Sequence, residues 1–479
     1  MKRIISIVAA LCCMFGFRFL PALPGMSASA MQVLGIFIGA LILWLTISID
    51  WPSLLCLAAL SLVPELTMNM VLTHSLGKST VAFLLFTFMC TYAISTTSFI
   101  KRCAIMFITG PLARRGAWYF LISYCAAVLI IGLFMSPTVL FVIYLPILNA
   151  ICEELKLRQE DKLANALIMG QLFSCAISCG MTPIAHVFSI MAMGFYHTAT
   201  GKAVSYASYM GFAIPVGLLT FLVMILFFRF ILRPDMSSVR NLNMDALRGT
   251  VAKADKKEKI ILVIFFSVVA LWVIPEFLKN LLPTFAGFMK KQGTAFPPLL
   301  GAVLLCMLTI DGKPLMNFKE MMQKGVEWGS IMMAGCTLAI GMAMTNADIG
   351  LTAWISDAIK PMFALVSPFV LVVIFAAWAA IMTNLASNMV TVTVVCAVAI
   401  PICSATGGLI STPAVAMIVG MLGGYAFATP PAHPNVALAI GSGWTKTSQV
   451  AAYGSALIAV SIIISTFIGY PLARALMGM

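Results

Sequence analysis

The chain has 479 residues, 62% of them hydrophobic and only 9% charged, with a formal net charge of +13 at pH 7. A water-soluble domain carries about a quarter charged residues, so a soluble enzyme or binding module is excluded; apolar runs that are continuous rather than alternating exclude a transmembrane β-barrel as well. The basic excess reflects topology rather than nucleic acid: with a cytoplasmic N-terminus, Lys2, Arg3, Lys101, Arg102, Arg114, Arg115, Lys156, Arg158, Lys162, the cluster from Arg229 to Lys259, and Lys313, Lys319, Lys324 and Lys446 all fall inside, which is the positive-inside bias.

The expected class is an all-α polytopic protein of the cell's inner (plasma) membrane, its partners the lipid bilayer and a small solute. The 13 Cys are mostly scattered singly and form no CxxC pair, so they read as small hydrophobes in helices.

In chain order, residues 1–30 form an N-terminal helix that begins basic and turns apolar. Ser27-Ala28-Ser29-Ala30 resembles a signal-peptidase site, and a cleaved leader is the alternative to an uncleaved helix. The first half of the chain proper is 31–232. Ala30 to Ile47, Trp51 to Val63 and Thr80 to Ile100 are spans. Residues 118–151 are too long for one span of about 20 residues and have basic clusters at both ends, so they read as a re-entrant hairpin with Ser136-Pro137-Thr138 at its tip. Residues 163–196 form one long span broken at Cys179-Gly180-Met181-Thr182-Pro183, and Tyr206 to Phe230 returns inside. The cytoplasmic basic linker 233–259 divides the chain.

The second half, 260–479, repeats the order. Ile260 to Leu278, Pro297 to Ile310 and Ile331 to Met344 are spans. Met316 to Gly325 reads as an interfacial helix, Glu327-Trp328 as an interfacial anchor, and Ile349 to Pro361 as an extracytoplasmic amphipathic segment. Residues 366–402 form the second hairpin, 413–441 a span broken at Thr429-Pro430-Pro431, and Val450 to Leu472 the last span. The expected total is about 11 transmembrane helices plus two re-entrant hairpins. Ser136 and Ser387 lie 251 residues apart, and His186 and His433 lie 247 apart. Five spans separate the hairpins; an odd number opens them to opposite sides, an inverted repeat common among secondary transporters.

The polar islands carry the chemistry. Polar residues in a bilayer-grade run are costly unless they bind something or line a cavity. Where half-helices meet, N-termini favour anions, and free carbonyls or C-termini favour Na⁺. Candidate substrate contacts are Ser136, Pro137 and Thr138 at the first tip and Ser387, Asn388 and Met389 at the second. Thr182, Pro183 and His186 are candidates at the first break, and Thr429, Pro430 and His433 at the second. No Arg or Lys lies near any island, so an anion would be held by dipoles, hydroxyls and the imidazoles, with cation coupling supplying positive charge. No HExxH, intramembrane Asp pair or nucleophile-context Ser–His pair is present, so the chain reads as no enzyme.

Thr383 to Val390 and Ala428-Thr429-Pro430-Pro431, with Gly441-Ser442-Gly443, make the chain similar to the divalent anion/sodium symporter family, the dicarboxylate, citrate and sulfate carriers. The resemblance implies paired hairpin tips facing broken helices, a homodimer, and a transport domain that moves as an elevator against a scaffold. It implies a second Na⁺ site at Thr383, Ala386, Asn388 and Ala428. Its first Na⁺ site would map to Gly132, Ser136, Pro137 and Gly180, but Pro137 stands where the family has Asn and Gly132 where it often has Ser. Met389 replaces the family's Thr at the second tip. The expected function is secondary active transport of small di- or tricarboxylates with Na⁺ as coupling ion. A Na⁺-independent anion exchanger, or a carrier of sulfate or another oxyanion, is the alternative.

Overall fold

A computed structural model describes residues 2–159, 161–184, 186–242, 253–355, 357 and 367–478. Parts of two expected segments, 243–252 in the basic linker and 356 and 358–361 in the extracytoplasmic segment, lie outside the described residues. Among the described residues the chain is helical apart from one antiparallel pair, Thr309–Ile310 with Lys313–Pro314.

Nine helices among the described residues are long and apolar enough to cross a membrane. A tenth arises if Met68–His74 and Ser79–Ser95, which meet at 48°, count as one span. Three of the nine, Pro137–Glu154, Pro368–Leu385 and Asn388–Ala405, are hairpin arms. Each hairpin tip has the same local cause. Ala117–Gly132 ends, Ser136 adopts an extended backbone, and Pro137 opens the next helix at a position where a proline needs no hydrogen-bond donor. Pro368–Leu385 ends at Ala386, Ser387 is extended, and Asn388–Ala405 begins.

Two helices are interrupted. Lys162–Met181 stops at Thr182, and Val187–Thr200 resumes after His186. Thr412–Gly423 stops at Gly424, and Pro434–Gly441 resumes after His433. These elements form the interior: every residue from Leu163 to Met181 is buried, as is every residue from Pro413 to Gly423. A helix apolar on all faces and enclosed by others is the centre of a bundle. Tyr206–Leu232 and Lys256–Pro275 are less than half buried and form the periphery.

The N-terminal helix Lys2–Gly16 packs along Ala28–Thr46. Contact is closest at Gly35 and Gly39, four residues apart on one face. A Cβ at Gly35 would lie 2.4 Å from Phe17 Cβ, and one at Gly39 would lie 2.6 Å from the Ala10 carbonyl oxygen. In lipid, where apolar association gains nothing from water, such close backbone approach supplies the packing energy. We expect Gly39→Val to separate the two helices and cost about 1–3 kcal/mol. The check is a lowered melting temperature in detergent, with Gly287→Val, which meets open space, as the neutral control.

Candidate functional site

A cavity of about 320 Å³ lies where the islands meet. Its lining includes Ser136, Pro137 and Thr138 from the first tip, Ser387, Asn388 and Met389 from the second, His186 after the first break and His433 after the second. Ile49 from the turn before Trp51–Leu60, Phe88 from Ser79–Ser95, and Glu327 and Ser330 from the start of Trp328–Thr345 join the lining. None of the described residues lining the cavity is Lys or Arg.

Four of these lining residues are helix N-caps. Ser136 caps Pro137–Glu154, His186 caps Val187–Thr200, Ser387 caps Asn388–Ala405 and His433 caps Pro434–Gly441. The side chains of Ser136, His186 and Ser387 make no cap hydrogen bond, so they do not consume their helices' first N–H groups. Each helix N-terminus carries about half a positive charge. Four at one cavity make a field suited to an anion without any cationic side chain. Two buried polar atoms of the lining are also unpaired, Asn388 Nδ2 and His186 Nδ1. Unmet buried groups cost free energy unless something binds them.

Asn384 holds the second hairpin to the second break. Its Oδ1 accepts from the backbone N–H of Phe427 at 2.7 Å and of Ala428 at 2.9 Å, and its Nδ2 donates to the carbonyls of Ala380 at 2.9 Å and Tyr425 at 2.8 Å. Thr429 donates its hydroxyl to the Asn384 carbonyl. The first half has the counterpart bond: Thr182 Oγ1 donates to the Leu133 carbonyl at 2.6 Å. Thr182 and Thr429 therefore pin tips to breaks rather than line the cavity. Pro183 is buried within the first break, and Pro430 is exposed at the second. Asn435 Nδ2 bonds the Pro137 carbonyl at 3.1 Å and ties the second break to the first tip.

The expected second Na⁺ site is tested by the oxygens that converge there. Thr383 Oγ1 lies 3.0 Å from Asn388 Oδ1 and 2.6 Å from the Gly423 carbonyl. Three uncharged hard oxygens from three helices suit a monovalent cation, so the residues fit. Ala386 forms the extended turn of the tip. Ala428 spends its N–H on Asn384, so its carbonyl is the group it could offer. The expected first site fits poorly. The Gly132 carbonyl accepts a hydrogen bond from His186 Nε2 at 2.9 Å, and the Gly180 carbonyl accepts one from the Tyr209 hydroxyl at 2.7 Å. Ser136 and Pro137 line the cavity instead.

Several site residues escaped sequence reasoning. Asn384 stands inside the second island, but three of its four partners lie 41 to 44 residues away. Gly423 contributes only a backbone carbonyl. Glu327, expected as an interfacial anchor, also borders the cavity, and Ser330 Oγ donates to its Oε2 at 3.1 Å. Desolvation pushes its carboxyl above the usual carboxylate range, with the Ser330 hydrogen bond opposing. A unit charge about 8 Å from a bound anion at an effective dielectric near 20 costs about 2 kcal/mol. Glu327→Gln should therefore lower the KM for an anionic substrate by about thirtyfold; an unchanged or raised KM in concentration-dependent uptake would deny that the carboxylate faces the substrate.

Residues 5–423 match the citrate transporter family, CitMHS. The chain belongs to the citrate transporter family. It is a multi-pass membrane transporter and not an enzyme. The sodium-dependent dicarboxylate transporter SdcS of Staphylococcus saprophyticus is 23% identical over 470 residues, covering 93% of this chain and 87% of that protein. SdcS of Staphylococcus aureus strain RF122 is 23% identical over 466 residues, with the same shares covered. The expected kinship with divalent anion/sodium symporters is thus borne out at the level of the family. Among solved structures, this family member is similar in fold to the YdaH transporter of Alcanivorax borkumensis, whose crystal structure reveals an unusual topology. The TM-score is 0.55 at 14% identity, over 84% of this chain and 88% of that one.

Proposed function

We propose that the protein is a secondary active carrier of small di- or tricarboxylates in the cell's inner membrane, driven by Na⁺ bound beside Thr383 and Asn388. The observation that carries this reading is the convergence of four helix N-termini on one cavity whose described lining residues include no cationic side chain. A multivalent carboxylate satisfies several N-termini at once, and the unpaired Asn388 amide offers it a donor. Its volume lies within the range of small-molecule sites. The names of the relatives, sodium-dependent dicarboxylate transporters, point the same way.

Na⁺ would be held by Thr383 Oγ1, Asn388 Oδ1 and the Gly423 carbonyl, joined by carbonyls of Ala386 and Ala428. The bound ion supplies positive charge beside the anion. Asn388 then serves both ligands, its Oδ1 toward the cation and its Nδ2 toward the anion, which makes their binding cooperative. The hairpins and broken helices form the moving unit, arranged as an inverted repeat; the matching Thr182–Leu133 and Thr429–Asn384 bonds support that symmetry. Helices Trp51–Leu60 and Trp328–Thr345 belong to the scaffold of a homodimer, against which the unit slides as an elevator. With the N-terminus cytoplasmic, Ile49 and Glu327 mark the cytoplasmic edge of the cavity, and this conformation faces inward.

The test is uptake of labelled carboxylate into proteoliposomes under an inward Na⁺ gradient. Thr383→Ala should raise the Na⁺ concentration for half-maximal uptake by about tenfold, for the loss of one ligand worth about 1.4 kcal/mol. An unaltered Na⁺ dependence in this variant would remove Na⁺ from the Thr383 position.

A further inference from the structure

The two halves of the molecule treat the ends of their hairpins differently. In the second half, the hydroxyl of Thr383, the amide oxygen of Asn388 and the carbonyl of Gly423 meet with one hydroxyl proton among them. In the first half, the position 251 residues earlier is Gly132, which has no side-chain oxygen to offer, and its carbonyl already takes a proton from His186 Nε2 at 2.9 Å. The next carbonyl, of Leu133, takes one from Thr182 Oγ1 at 2.6 Å. Across the break, the Gly180 carbonyl takes one from the Tyr209 hydroxyl at 2.7 Å. His186 is 2% and Tyr209 0% exposed, so no water competes for these bonds.

A carbonyl oxygen accepts, so His186 presents its N–H at Nε2 and leaves Nδ1 bare. The bare Nδ1 is unpaired, so the ring is held by the Gly132 bond and by packing. A cation coordinated by the Gly132 and Gly180 carbonyls would stand against the positive ends of an N–H and an O–H bond in a low-dielectric interior, where such repulsion is little screened. His433 breaks the symmetry, because its Nδ1 accepts from the Asn435 backbone N–H at 3.2 Å instead of bonding a hairpin carbonyl.

We infer that His186 and Tyr209 fill the first cation position with tethered proton donors, so that the chain has one cation site, at Thr383 and Asn388, and couples through one half only. Neutral side chains suffice for this, and no titration is involved. The inference rests on the sodium reading above for its second half, but the closure of the first position stands apart from it.

Equilibrium binding of radiolabelled Na⁺ to the purified protein, with saturating citrate, decides both. We expect one Na⁺ per chain in the wild type, one in Thr383→Ala bound about tenfold more weakly, and a second Na⁺ in His186→Ala/Tyr209→Phe. His186→Asn, which keeps a donor, should stay at one. Two Na⁺ per chain in the wild type, or one in Thr383→Ala bound as tightly as in the wild type, would overturn the inference and leave sodium coupling intact. No Na⁺ bound by the wild type would remove the sodium reading while agreeing with a closed first position. A folded double variant that binds no more than the wild type would overturn the assignment of closure to these two side chains; if that variant fails to fold, the wild type and Thr383→Ala decide.

Discussion

Asn384→Ala is expected to abolish transport and to lower stability more than any other single change at the tips. The amide makes four hydrogen bonds to backbone, two received and two given, all buried. Removing it strands the N–H groups of Phe427 and Ala428 and the carbonyl of Tyr425. Each unmet buried group costs about 1–3 kcal/mol, so a loss of about 3 kcal/mol is expected even after relaxation. The break between Gly423 and Pro434 would lose its anchor on the second hairpin, and with it the register of Gly423 against Thr383. A displacement of about 1 Å among positioning groups costs roughly 100-fold in rate. Uptake and the detergent melting temperature should fall together. Asn384→Asp keeps the two acceptors but faces the Tyr425 carbonyl with an oxygen, so it should be as damaging. Full uptake by either variant would mean that the broken helix holds its shape unaided.

Asn388 is expected to show the second large effect, of a different kind. Its Oδ1 is already paired with Thr383, and its Nδ2 is unpaired at the cavity. Asn388→Ala removes a donor worth about 1.5–3 kcal/mol to a charged partner together with a cation ligand. Uptake at subsaturating substrate should fall by roughly 100-fold, with little change in melting temperature, because no backbone group is orphaned. Asn388→Asp separates the two roles. A carboxylate there favours the cation and repels the anion, so the Na⁺ requirement should drop while the KM for the carboxylate rises. If both constants moved in the same direction, the two ligands would not share this side chain.

Much of this arrangement was legible in the chain because polar residues stand out against hydrocarbon. Ser136, Ser387, Asn388, His186 and His433 were placed by two facts, their setting in apolar runs and their matched spacing, and they border one cavity. Thr182 and Thr429 were equally visible but pin the tips from behind, since polarity alone does not say which way a hydroxyl points. Asn384 was hidden by its partners, which are backbone groups and leave no mark in a sequence. Glu327 was hidden by position: a carboxylate before an apolar helix reads as a surface residue unless the neighbouring helices are known to fold a cavity beside it. The seam of Gly35 and Gly39 was passed over because small residues are common in membrane helices, and only the nearness of Phe17 and Ala10 shows what these two are for.

The most direct measurement is accumulation of labelled succinate, citrate and sulfate in proteoliposomes of the wild-type protein, with and without an inward Na⁺ gradient. The account predicts concentrative uptake of a carboxylate that requires the gradient and stops when it is dissipated. Rapid exchange of the same carboxylate without Na⁺, or accumulation of sulfate alone, would contradict it.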